Sequence, residues 1–452
     1  MPGLFTTLTT AADTLDVCQK ILSTIGNNIS NSSTPGYAKQ RITTVPLAFD
    51  PQAGLAGGVT ASQLQSSRNE YAESAVWRNG QAAGRSEQLS SELQAIEPLF
   101  DVTGDGGVPA ALNKFFASVS SWTLAPNDTV ARQAVLDQAD QLAQRFNENA
   151  TGLANASQAL DERIRGGTDA VNQLTAEIGT LNTELRNQAQ SRSNPALDAQ
   201  LHSALESLSE CVDFTALKQS DGSFVVLLGG GVPLAMGDQT YAISADTSGG
   251  TATIRDAQGN DITADLTGGK LGALVTMKND LLPDYTSRLN ALAASVADGV
   301  NNVLAAGIVP SGNAGAPLFS YNLASDAAFT LGTTGITADQ LAAALPGASG
   351  GNGNALNLVA LGSANQSNGM TFTQSYAEVA ARVGQAASGA EQDSQTQNDL
   401  LVQARSMRDQ ISTVSLNEEA ALLMQYQRAY QATARLITTL DNLTGDTINM
   451  MQ

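Results

Sequence analysis

One histidine and two cysteines, His202, Cys18 and Cys211, are the scarcest chemistry-bearing side chains in this 452-residue sequence. A Ser-His-Asp catalyst would have to run through His202 alone. A structural zinc site prefers four nitrogen or sulfur ligands, more than these residues supply, and two cysteines make no disulfide framework. His202 falls on a predicted helix beside Leu201 and Leu205, where it reads as a structural or surface residue. Cys18 sits on a helix seam and reads as a small packing residue. The loop from Asp101 to Gly107 offers Asp101, Thr103 and Asp105 at the first, third and fifth places of a calcium loop. The twelfth place, however, is Leu112 where glutamate is needed, so the loop reads as a glycine-rich turn before a helix. Gly229-Gly230-Gly231 lies between strands with no Lys-Ser/Thr after it, which is not a phosphate cradle. Glu418 and Glu419 fall in the first turn of a helix, where negative charge complements the helix dipole. Asn-x-Ser/Thr sequons occur, many inside predicted helices, and carry little weight. No catalytic, cofactor or metal site is expected.

The elements that position these residues follow from composition and spacing. Hydrophobic residues make up 42% and charged residues 15%, but 69 of the apolar residues are alanine and aromatics are 5%. The polar residues are mostly Ser, Thr, Asn and Gln. That mixture suits long, closely packed helices with small-residue seams. The length predicts two to four domains at roughly 100–200 residues each. A net charge of −20 repels phosphate and anionic lipid, so neither nucleic acid nor a membrane surface is an expected partner. No run of 18 apolar residues is present to span a bilayer. The N-terminus carries no basic region followed by an apolar one, so by itself the sequence reads as cytoplasmic.

Both ends carry heptads. Leu4, Leu8, Ala11, Leu15, Cys18, Leu22, Ile25 and Ile29 step by four and three, predicting a helix that stops near Asn31, before the Thr34-Pro35-Gly36 turn. Ser415 and Glu418 have capping-box spacing, and Leu422, Tyr426, Ala429, Thr433, Leu436, Leu440, Leu443, Thr447 and Met450 continue the step to the end. These two helices can pair antiparallel with each other or with copies of themselves; packing onto the body of the same molecule is the bland alternative. Helices are also predicted at 86–98, 110–124 and 129–189, the last with a stutter at Leu160–Ile164 and a kink at Gly166-Gly167. Others are predicted from Pro195 to about Glu210, over 268–306 with a kink at Pro283, and from Thr373 along a seam through Val379, Val383, Ala390, Leu400, Ala404, Met407 and Ile411. Residues 212–266 read as four to six short antiparallel strands split by glycine turns, and 307–370 as irregular. The expected fold is mainly α with a β insertion (α+β). Terminal heptad helices at 1–40 and 415–452 form an inner coiled coil, a long-helix bundle body spans 41–211 and 267–414, and a small antiparallel β domain spans 212–266.

The segment Ile25-Gly-Asn-Asn-Ile-Ser-Asn-Ser-Ser-Thr-Pro-Gly-Tyr37, followed by Ala38-Lys39-Gln40-Arg41, resembles the N-terminal signature of the bacterial flagellar axial proteins, the rod, hook and hook-associated family. Internal stretches, Leu112-Asn-Lys-Phe-Phe116, Gly268 to Leu274, Leu282-Pro-Asp-Tyr285 and Val414 to Ala421, narrow the resemblance to the hook-associated branch. The resemblance implies a structural subunit at the junction between hook and filament. It implies self-assembly into a ring or tube, with hook protein and the second hook-associated protein FlgL as neighbours and the export chaperone FlgN on the C-terminal helix. It also implies flagellar type III export without a cleaved signal peptide, which reverses the cytoplasmic reading. The expected assembly surface comprises the seam residues Leu4, Leu8, Leu15, Leu22, Ile25, Ile29, Leu422, Tyr426, Leu436, Leu440 and Leu443. The motif residues Asn27, Asn28, Asn31, Pro35, Gly36 and Tyr37 complete it. Another axial protein, a cytoplasmic coiled-coil adaptor and a secreted enzyme on a helical scaffold are the alternatives.

Overall fold

The computed structural model describes residues 2–48, 57–102, 104, 106–187, 194–322, 324, 326–366 and 368–450. The chain begins with α1 (Pro2–Ser30), then the short strands β1 (Gln40–Arg41), β2 (Thr44–Pro46), β3 (Val59–Ala61) and β4 (Gln65–Ser66). Helices α2 (Glu70–Ile96), α3 (Val108–Leu124), α4 (Thr129–Asn187) and α5 (Pro195–Cys211) follow. Next come β5 (Phe214–Lys218), β6 (Phe224–Leu228), β7 (Pro233–Met236), β8 (Gln239–Thr240), β9 (Ser244–Asp246) and β10 (Thr253–Arg255). Helices α6 (Gly269–Thr276) and α7 (Leu282–Ala306) flank a π turn at Met277–Leu281. After them come β11 (Phe319–Ser320), α8 (Ala327–Thr330), β12 (Gly332–Thr333), α9 (Gly353–Ser363), α10 (Phe372–Ser412) and α11 (Leu416–Asn449).

Local signals account for most helix ends. Asn194 opens α5, its side chain accepting from Ala196 and Leu197 N–H, with Pro195 at the first helical position. Ser415 Oγ accepts from Glu418 N–H at 3.4 Å to open α11. The helix expected over 86–98 instead starts at Glu70. Asn69 Oδ1 takes the free N–H groups of Tyr71 and Ala72 at 3.0 and 3.2 Å, and Glu70 and Glu73 lie in the first turn. The expected kink of α4 at Gly166-Gly167 does not break the helix, which runs unbroken for 59 residues. The irregularity expected at Pro283 is the π turn just before it, where proline removes an N–H from the ladder.

The chain divides into two compact units: residues 1–82, 170–243 and 397–452 form the first, residues 83–169 and 244–396 the second. This division does not follow the boundaries expected from the sequence. In the first unit, β5-β6-β7-β8 form an antiparallel meander, with Phe224, Val226 and Leu228 of β6 turned inward. Phe214 and Phe224 pack around Trp77 at ring distances of 6.1 and 6.0 Å. Asn182 of α4 clamps β6, donating to Phe224 C=O and accepting from Phe224 N–H, both at 2.9 Å. Asn172 clamps Ile243 in the same way at 2.8 and 2.9 Å. The start of the expected helical body at 41–211 instead carries, among the described residues, two small ladders, β1 with β4 and β2 with β3.

In the second unit, Trp122, Phe115, Phe146, Phe319, Phe372 and Tyr376 are fully buried. The β9–β10 hairpin lies here, so the strands expected as one insertion at 212–266 are shared between the units. Residues 307–370, expected to be irregular, hold β11 paired with β12 and helices α8 and α9. They bury Leu318, Phe319, Leu331, Leu341 and Leu358. Asparagines again order the backbone. Asn147 donates to the carbonyls of Ala328, Phe329 and Leu331 at 2.8, 3.1 and 3.0 Å. Asn301 accepts from Leu318 and Phe319 N–H. Two or three hydrogen bonds to one side-chain amide replace the partners that irregular backbone would lose on burial, a tertiary device that periodicity does not reveal.

Candidate assembly surface

The two terminal helices lie in the first unit and pack against each other. Asn28, near the end of α1, meets Glu419 at the start of α11, and Val17, Ile21 and Ile25 pack with Leu422, Leu423 and Tyr426. The pair is therefore antiparallel. On α1, Val17, Ile21, Ile25 and Asn28 are buried at this contact, and Ala11, Cys18 and Thr24 are buried as well. Of the expected heptad residues, Ala11, Cys18, Ile25 and Leu440 are buried, and Leu4, Leu8, Leu15, Leu22, Ile29, Leu422 and Tyr426 are half-buried. Leu436 and Leu443 face solvent, 47% and 48% exposed. Val17, Ile21 and Leu423 were missed; they lie one residue from the predicted stripe. Only the opposing helix selects which of two adjacent apolar stripes becomes the seam. A similar displacement occurs at the end of α10, where Leu401 is buried while Leu400, Met407 and Ile411 are exposed.

The motif after α1 forms a polar hub. Asn28, 1% exposed, donates from Nδ2 to Gln40 C=O at 2.9 Å and to Glu419 Oε2 at 3.1 Å. Its Oδ1 accepts from Gln40 N–H and Tyr37 Oη–H, both at 3.0 Å. One amide thus joins α1, the turn, β1 and α11. Lys39 Nζ pairs with Glu418 at 2.9 Å and Glu419 at 3.2 Å, and Lys39 N–H donates to Ser412 C=O at 2.7 Å. Glu418 therefore does not reach back to Ser415 as a capping box would; Lys39 takes its carboxylate. Burial works against the Lys39 ammonium, but Glu418 and Glu419 outweigh it and hold its pKa above the ordinary value. The Lys39 hydrogen bond lowers that of Glu418. Burial, then the charge of Glu419, pushes the Tyr37 phenol up.

The other motif residues shape the turn. Asn27 and Pro35 are exposed and Asn31 is half-buried; Asn31 Nδ2 donates to Asn27 C=O at 2.9 Å. Gly36 has φ +71°, and a Cβ there would lie 2.3 Å from Ala199 O, so the turn admits only glycine against α5. Arg68 Nη2 holds Gly36 C=O at 2.6 Å, and Arg68 also pairs with Glu73 and Asp198.

A recess of about 210 Å³ beside this turn is lined by Tyr37, Arg68, Glu73, His202, Glu206 and Arg408 among others. Its charges are engaged with one another: Arg68 with Glu73, and Arg408 with Glu206. His202 is buried, stacked on Trp77 at 5.9 Å and edge-on to Phe224 at 5.3 Å, with Nδ1 donating to Asp198 C=O at 2.8 Å. Among the described residues no three His, Cys, Asp or Glu side chains are grouped to hold a metal, and no helix is long and apolar enough to cross a membrane. Thr103 and Asp105 of the glycine-rich loop lie outside the described residues.

On the rim of this region, burial works against the Glu70 carboxylate, but His202 and Lys218 hold its pKa down from 4.5 to about 2. A carboxyl depressed by folding stabilises fully above its unfolded value and loses that contribution as pH falls through the folded one. Stability is therefore expected to fall between pH 4.5 and about 2, and Glu70→Gln should flatten that limb in acid denaturation. An unchanged acid limb would refute the assignment.

A family model described as "Flagellar hook-associated protein FlgK helical domain" matches residues 93–319. A second, "Flagellar basal body rod FlgEFG protein C-terminal", matches residues 408–450. Flagellar hook-associated protein 1 of Bacillus subtilis is 25% identical over 502 aligned residues, covering 100% of this chain and 99% of the relative. The protein of that name from Salmonella typhimurium is 25% identical over 324 residues, covering 68% of this chain and 58% of the relative. The solved flagellar hook junction protein FlgK of Burkholderia pseudomallei superposes with a TM-score of 0.66 at 16% identity, over 75% of this chain and 100% of the other; that match speaks to the fold alone.

Proposed function

As the chain belongs to the family of FlgK flagellar hook-associated proteins, structural proteins of the bacterial flagellum at the junction of hook and filament, we propose that it builds that junction by polymerising through the α1–α11 pair. The observation that carries this reading is the apolar face left on α11. Its inner face packs on α1, yet Leu436 and Leu443 remain exposed, and such a stripe is covered only when a neighbouring subunit supplies the partner. The Asn28 hub holds the pair to β1 and to the turn on α5, so a load on one terminal helix passes into the body of the first unit.

Hook protein and FlgL are the neighbours proposed on either side, and FlgN the chaperone that covers α11 before assembly. The exposed Met424, Leu436 and Leu443 support this, since an amphipathic helix with an uncovered stripe needs shielding in the cell. Export through the flagellar type III channel belongs to the same proposal. A catalytic role is not proposed, because the one histidine is enclosed by Trp77 and Phe224.

Immunogold labelling of intact cells tests the reading: label is expected between hook and filament. Label confined to the cytoplasm, or spread along the filament, would refute it.

A further inference from the structure

Three Asn-Gly pairs occur in the sequence: Asn79-Gly80, Asn352-Gly353 and Asn368-Gly369. In such a pair the glycine nitrogen can reach the asparagine side-chain carbonyl, because no side chain crowds the approach. The fold treats the three differently. Asn79 and Gly80 lie inside α2, where the Gly80 N–H belongs to the helix ladder. Asn79 Nδ2 donates to Ala75 C=O at 2.8 Å. Asn352 stands just before α9, with its amide donating to Thr123 C=O of α3 at 2.9 Å. Both amides therefore face carbonyl oxygens, which have no proton to give.

Asn368 is exposed in the turn that precedes α10. Gly369 has φ +78°, with open space where a Cβ would stand. Asn368 Oδ1 accepts from Met370 N–H at 3.0 Å, a bond that draws electrons from Cγ and would hold an oxyanion as it forms. Asn368 Nδ2 donates to Ser375 Oγ at 2.9 Å. A hydroxyl can donate as well as accept, so Ser375 can supply the proton that a departing nitrogen needs. The Gly369 N–H donates to Gln366 C=O at 2.9 Å, and this turn bond must open to free the nucleophile. Water reaches the amide through a recess of about 230 Å³ lined in part by Gln366, Asn368 and Ser375.

We propose that Asn368 is a self-modification site, converted to aspartate and isoaspartate through a cyclic imide formed with Gly369. Gly369 N loses its proton to water and bonds to Asn368 Cγ. Ser375 Oγ–H protonates Nδ2, the Cγ–Nδ2 bond breaks and ammonia leaves; water then restores the hydroxyl proton. A second water opens the imide. Attack at Cγ gives aspartate, and attack at the main-chain carbonyl gives isoaspartate. Aspartate keeps the Met370 bond and can accept from Ser375, whereas isoaspartate lengthens the main chain by one carbon just before α10. The change accumulates with the age of the subunit. The assembly reading does not use this turn, so the two stand or fall separately.

Ageing the full-length protein in warm, mildly alkaline buffer, followed by peptide mapping with mass spectrometry, tests this. Asn368 is expected to convert at least ~10-fold faster than Asn79 or Asn352 and to yield both isomers. Ser375→Ala should slow conversion by about 10-fold, and Asn368→Gln should leave the peptide unchanged. In urea the three sites should converge, since the fold sets their ranking. Equal rates in the folded protein, aspartate without isoaspartate, or an unaltered rate in Ser375→Ala would each overturn the proposal. So would a ranking that survives in urea.

Discussion

Replacing Leu436 by aspartate is expected to abolish motility while leaving the melting temperature of the purified chain nearly unchanged. Leu436 is 47% exposed and lies off the seam with α1. A surface substitution of that kind shifts stability by about 0.5 kcal/mol or less, which is a change of about 1–2 °C in a unit of this size. In the assembly the same site would bury an unpaired carboxylate and forfeit a leucine. Together these cost several kcal/mol at every subunit contact, or at least ~100-fold in association. Swimming assays and electron microscopy of hook tips read the first effect, calorimetry the second. Retained motility would remove the terminal helices from the assembly. A fall of about 8 °C or more would mean that Leu436 packs within the chain. Leu22→Asp separates the two effects less well, because Leu22 is half-buried beside Ile21, so it should weaken both the fold and the assembly.

Asn28→Asp is expected to destabilise the first unit by about 3–5 kcal/mol, comparable to breaking a buried ion pair. The new carboxylate would stand where an amide N–H now reaches Glu419 at 3.1 Å and Gln40 C=O at 2.9 Å. It would face a second carboxylate and a carbonyl oxygen with no proton to offer either. The loss should lower the unit's transition by about 10 °C and raise hydrogen exchange near the junction of α1 with α11. Acidification should partly restore stability, since a protonated aspartic acid can again donate. A variant as stable as the parent at neutral pH would show that the hub does not hold the pair together. Asn28→Ala is a control that removes the same bonds without adding charge; it should cost less than Asn28→Asp.

The ends of the helices were legible because they depend on neighbours in sequence. The stop after Ser30 precedes the Pro35-Gly36 turn, α5 starts at Pro195 behind an Asn cap, and α11 starts behind Ser415. Each is a competition between side chain and backbone settled within a few residues. The heptads at both ends were legible for the same reason, and with them an expectation of assembly; the flagellar resemblance came from the motif between Ile25 and Arg41. The start of α2 was missed although Asn69 carries the same kind of signal.

The buried side was legible in part: Ala11, Cys18 and Ile25 of the predicted α1 step and Val379, Val383 and Ala390 of the α10 seam are buried, but the other half of the α1 step is displaced. Adjacent stripes on α1, Leu8-Leu15-Leu22 and Thr14-Ile21-Asn28, have the same seven-residue step, and the larger apolar one reads as the seam. In the fold, the polar stripe faces α11, because Asn28 finds Gln40, Tyr37 and Glu419 there and Ile21 finds Leu422 and Leu423. Those partners are some 400 residues away in sequence or across a turn, and no local pattern refers to them. Likewise, the strands of 212–266 were legible as strands from their alternation and glycine turns. Their sharing between two units is set by Asn172 and Asn279, which bind Ile243 and Ala252 from distant helices. Periodicity determined which segments are helix or strand, because that balance is struck with adjacent residues. Only the tertiary structure decided which stripe is covered and which is left for a neighbour, because burial depends on what lies opposite.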